Sequence, residues 1–109
     1  MTTSLPAAIA ELTTDQTPAG RGARTVHGGR ESAFRQTLMV FAAGSGLAEH
    51  PAPGEATLLV LRGRVVLRAG EEAVELDAGD LMDIPPRRHS VLAVTEAAIL
   101  LTVAGSAAE

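Results

Sequence analysis

Beyond residue 30 the apolar residues do not recur at helical spacing. They come in short runs of four to eight, repeated about every ten residues, with Gly or Pro at almost every junction. This pattern predicts strands over 34–41, 57–61, 65–68, 73–76, 80–84, 90–94 and 98–103, and hence an all-β sandwich or barrel. The intervening segments 42–46, 62–64, 69–72, 77–79 and 95–96 read as turns. Within the runs, 34–41, 58–61 and 99–101 are apolar on both faces, as in a sheet covered on both sides. That is more hydrophobic surface than a barrel interior can take, so a homodimer that buries the surplus is expected.

The N-terminal segment differs. Ser4 can cap a short helix with Pro6 in its first turn, and Leu5, Ile9 and Leu12 fall on one face. Two readings stay open for it, a helix docked on the domain and a disordered tail. Residues 13–22, with Pro18, Gly20 and Gly22, read as a linker. The expected organisation is therefore an N-terminal tail or short helix over 1–22 and a β-barrel domain over 23–109. Removing the former is expected to leave the barrel folded.

Composition narrows the chemistry. A chain of 109 residues supports one domain. Without cysteine there is no disulfide, thiolate ligand or thiol nucleophile. Two Phe and no Trp or Tyr leave no stacking platform for single-stranded nucleic acid. The formal net charge is −4 and every basic residue is Arg, in local clusters only. Duplex DNA and anionic membranes both demand a concentrated basic face, so neither is expected as a partner. The opening residues carry no basic region and no apolar run of signal length, which makes a soluble, cytoplasmic protein the expectation.

Two stretches carry the candidate chemistry. In the first, Gly44 is followed after five residues by His50, and Gly63 closes the stretch. In the second, Gly79 is followed after five residues by Pro85, and His89 comes four residues later. Together they resemble the two motifs of the cupin superfamily, over roughly residues 34–103. The resemblance implies a cupin-type double-stranded β-helix, a jelly-roll barrel of the RmlC-like kind, often with a metal held between the motifs. Four positions depart from the pattern. Ala52 and Ala56 stand where the family has its second His and its Glu, Arg87 replaces a Gly, and Val94 replaces an Asn. His89 also arrives one residue before the expected position, Ser90.

By resemblance, the candidate metal ligands are His50 and His89, with Glu55 as a possible third and Glu49 as its neighbouring alternative. Such N/O donors suit Zn, Ni, Mn or Fe. Arg35 and Gln36 interrupt an apolar strand, so one of them is a candidate polar group of the pocket; Met39 and Met82 are candidate lining residues. His27 reaches the barrel only if the N-terminal segment adds a strand. The expected function is binding of a small molecule in the central pocket, with or without a weakly held divalent transition metal. The alternative is a metal-dependent enzyme of the dioxygenase or isomerase type that uses His50, His89 and Glu55.

Overall fold

The computed structural model describes residues 2–104. The last five residues of the expected β-barrel domain, 105–109, lie outside them. Among the described residues, nine strands form two antiparallel sheets. The larger has the order β1 (Arg21–His27), β2 (Phe34–Phe41), β9 (Ala97–Ala104), β4 (Ala56–Arg62), β7 (Leu81–Asp83). The smaller has the order β3 (Gly46–His50), β8 (His89–Ala93), β5 (Arg64–Ala69), β6 (Glu72–Asp77). This is the jelly roll that the resemblance implies, within the all-β class that the hydrophobic pattern predicts.

Alternation along the strands divides the apolar residues between two cores. Phe41, Leu58, Val60, Val65, Leu67, Val91 and Ile99 point between the sheets and form the barrel core. Leu38, Val40 and Ala98 point the other way, from the outer face of the larger sheet. There they meet Ala8, Ile9 and Leu12 of helix α1 (Leu5–Thr14) in a second buried cluster. The both-face apolar character of β2 thus has an intramolecular cause. Ser4 caps the helix as expected, its Oγ accepting from the Ala7 amide at 3.3 Å, and Pro6 occupies the first turn.

The N-terminal segment is accordingly a layer of the fold and no disordered tail. Its expected linker over 13–22 is also corrected. The chain enters β1 at Arg21, paired to Phe41, so the boundary expected between 22 and 23 falls inside a strand. A second correction concerns 42–46, read as a turn. Gly46 already belongs to β3, and its pairing with β8 is possible only for glycine, because a Cβ there would lie 1.9 Å from the Val91 carbonyl oxygen. The same demand recurs at Gly63 between β4 and β5. Its φ is +76°, and a Cβ would lie 2.1 Å from the Glu96 carbonyl oxygen.

Because α1 seals the outer core, Ile9→Ala removes most of a side chain that is only 5% exposed. The expected cost is about 2–4 kcal/mol in urea unfolding. A change under about 0.5 kcal/mol would mean that the helix is an ornament on the sheet.

Candidate functional site

His50 ends β3 and His89 opens β8, and the two are direct cross-strand partners. The register of that pair shifts between Leu47 and His50. Such an irregularity re-aims a side chain, and here it brings the His50 imidazole onto His89. The ring centroids lie 4.4 Å apart at 60°. His89 is 2% exposed and is the one buried polar side chain of the core among the described residues. It shares its face with Val91 and Ala93, both inward. Its arrival one residue early is absorbed by the corner 85–88, so it still points into the barrel.

Each imidazole is fixed by its own chain. His50 Nδ1 lies 2.9 Å from the Ala48 carbonyl oxygen. His89 Nδ1 lies 2.9 Å from the Arg87 carbonyl oxygen. A carbonyl can only accept, so both Nδ1 atoms carry protons and donate them. In the neutral rings both Nε2 atoms then keep a free lone pair. The rings border a small cavity of about 30 Å³, otherwise lined by Leu47, Pro53, Leu58, Ile84, Val91, Leu101 and Val103. A space of that size holds roughly one or two water molecules or an ion, and no organic ligand.

Beside it, at the ends of β4 and β7, lies an open groove of about 520 Å³ lined by Ala52, Gly54, Glu55, Ala56, Asp83, Ile84 and Pro86. Ile84 is shared between the two spaces. Ala52 and Ala56, the two alanines at the family's ligand positions, border the groove, Ala56 with its side chain packed in the barrel core, and neither offers a donor. Glu55 lines the groove and not the histidine cavity. Glu49 is exposed and faces Arg88 at 3.7 Å. Among the described residues no three His, Cys, Asp or Glu side chains are grouped to hold a metal ion. A catalytic metal of the cupin type needs about three protein ligands and an open position. Two imidazoles in an aliphatic setting do not meet that requirement.

The other sequence-derived candidates are dispersed. Arg35 lies on a separate groove with Thr25, Gly28, Gly29 and Arg30. Gln36 sits on the outer face of the larger sheet, where its Nε2 donates to Thr102 Oγ1 at 3.2 Å, away from any inner pocket. Met39 and Met82 are partly buried against the barrel core and fill it. They line neither the histidine cavity nor the groove beside it. His27 does lie on an added strand, β1, but it stacks on Phe34 with centroids 4.4 Å apart and does not approach the histidine pair.

Asp83 was missed by sequence reasoning. Its only signal was its place beside Ile84 and Pro85, at a strand end that the fold brings next to Glu55. The arginines of the corner 85–88 are exposed. The corner is nonetheless tied down on both sides, by Arg87 to Glu72 and by Arg88 to Glu49. Each pair is exposed and worth no more than about 1 kcal/mol, but together they hold the segment that delivers His89.

Comparison with known proteins agrees with this architecture. A cupin from Desulfovibrio desulfuricans, described as RmlC-like, superposes with a TM-score of 0.68 at 27% identity, covering 78% of this chain and 82% of its own. An RmlC-like cupin from Shewanella frigidimarina gives a TM-score of 0.72 at 16% identity, with coverage of 83% and 80%. A mutant of salicylate 1,2-dioxygenase from Pseudoaminobacter salicylatoxidans gives 0.75 at 19% identity. It is matched over 91% of this chain but only 32% of its own length, a likeness of fold alone. No match is found among curated protein sequences. The sequence model of the cupin domain matches residues 37–104, well over half the chain and nearly all of the barrel. With both sheets, the two glycine-led motifs and the histidine pair in place, this chain belongs to the cupin domain family.

Proposed function

We propose that this cupin binds a small organic molecule at the barrel mouth, in the groove flanked by Glu55 and Asp83, with the histidine cavity beside it. The observation that carries the reading is the groove itself, an open concavity of about 520 Å³ whose lining holds two acidic residues, Glu55 and Asp83, and no basic one. The volumes support it. The cavity beside the imidazoles holds little more than water, whereas the groove falls within the range of ligand sites, about 300–1,000 Å³. Two carboxylates on the groove favour a ligand that presents N–H or O–H donors, a small amine above all. The enzyme reading would need Glu55 to leave the groove and enter the histidine cavity.

The outer face of the larger sheet supports a homodimer. Leu38, Leu100, Leu59 and Leu81 form one row across β2, β9, β4 and β7. Helix α1 covers the Leu38 end, while Leu81 is 65% exposed at the other and Phe34 is 40% exposed on the same face. A second copy would bury that end of the row.

Three outcomes are expected. In a thermal-shift comparison of small amines, polyols and carboxylates, an amine should raise Tm by about 4 °C or more, and Glu55→Gln with Asp83→Asn should abolish the gain. Stabilisation that survives both substitutions would sink the groove reading. Elemental analysis of protein purified without chelators should find well under one equivalent of transition metal. A full equivalent lost in His50→Ala would replace this reading with the enzyme one. Light scattering at micromolar concentration should give twice the chain mass, falling to the monomer in Leu81→Glu; a monomeric wild type would remove the dimer.

A further inference from the structure

We infer that the barrel rim carries a second site, built by Arg30, Arg35 and Thr25, that takes a small oxyanion, a phosphate or a carboxylate group. It lies under the hairpin that joins β1 to β2. There the three residues, with Gly28 and Gly29, enclose a concavity of about 390 Å³.

The loop is built to hold its position. Gly28 has φ +101°, and a Cβ there would lie 2.5 Å from the Phe34 carbonyl oxygen and 2.9 Å from Arg35 Cα. The start of the loop is therefore pressed onto the backbone of β2. Two bonds close it further. The Gly29 amide donates to Ser32 Oγ at 2.9 Å, and the Ser32 amide donates to the Gly29 carbonyl at 3.1 Å. This places Arg30 beside the strand face that bears Thr25 and Arg35.

The electrostatics point to a ligand. Arg24, Arg64, Arg87 and Arg88 each face a carboxylate. Arg30 and Arg35, like Arg21, Arg62 and Arg68, make no ion pair among the described residues, but they alone share one concavity, and no acidic side chain lines it. Glu31, the next residue of the loop, stays outside the lining. Arg35 is half-buried, and its guanidinium makes no hydrogen bond among the described residues while staying open to solvent and to a ligand. Two guanidinium forks, with the Thr25 hydroxyl beside them, match the oxygens of a phosphate or carboxylate.

The site is separate from the proposed amine groove and shares no lining residue with it or with the histidine cavity. It is nonetheless on the same rim. Arg35 pairs with Val103, and Val103 pairs with Ala56 on the wall of the acidic groove, a distance of about 10 Å across two strand spacings. One rim thus offers a basic groove and an acidic one side by side.

The test is an NMR titration of the full chain at low ionic strength, with inorganic phosphate in one arm and acetate in the other. The backbone amides of Thr25, Gly28 and Gly29 should shift saturably, with a Kd on the order of 1–10 mM for the better anion. The two arms decide which anion the site prefers. Arg30→Gln, in an exposed loop, should weaken binding about tenfold, and Arg35→Gln at least as much. Arg68→Gln, which removes an unpaired arginine from the outer face of the smaller sheet, should leave it unchanged. Absence of saturation in both arms, equal affinity in Arg30→Gln, or equal weakening in Arg68→Gln would each overturn the assignment.

Discussion

The whole mouth of this barrel depends on the pairing of β3 with β8. The Gly44 amide donates to the Ala93 carbonyl at 2.8 Å, and the Ala93 amide donates to the Ser45 carbonyl at 2.8 Å. Gly46 then lets the two backbones close to a distance that no side chain would tolerate. From that anchored end the strands run to His50 and His89, and the shift in register before His50 sets one ring against the other. The two motifs are separated by about a third of the chain. Only this ladder makes them a single site.

What the site can do follows from what surrounds the rings. In the family pattern, residues two apart on a strand place a second imidazole next to the first, and a carboxylate completes the set. Here the corresponding positions hold Ala52 and Ala56, and aliphatic side chains close in until little more than a water fits. The polar chemistry has moved outward to the rim, where Glu55 and Asp83 mark one groove and Arg30 and Arg35 another. The imidazoles remain rigidly held because their Nδ1 bonds are local, each to a carbonyl two residues back, and so survive the loss of the other ligands.

Most of the barrel was legible because its strands are strongly apolar and its turns are marked by glycine and proline. Strands β4, β5, β6, β8 and β9 announce themselves in that way, and the glycine-led spacing singled out the histidines. Strand β3 did not, since Gly46-Leu-Ala-Glu-His50 contains one large apolar residue and its identity as a strand comes from pairing, a tertiary fact. Strand β1 was hidden for the same reason. Arg21-Gly-Ala-Arg-Thr-Val-His27 is an edge strand with little burial to leave a pattern. The fate of Arg35 and Gln36 was undecidable from alternation alone, because both faces of β2 are apolar and only the docked helix tells inside from outside. Volumes were beyond reach altogether. They depend on how side chains from both sheets meet.

Helix α1 and the barrel occupy different cores that share a wall, the larger sheet, but few side chains. Separate cores can open separately. Detachment of the helix would bare Leu38 and Val40 while leaving Leu58, Val65 and Ile99 dry. In hydrogen exchange the molecule would then show two tiers of protection, with helix amides exchanging through a partial opening and barrel amides only through global unfolding. Departure of the helix would also enlarge the leucine face on which a second copy could settle.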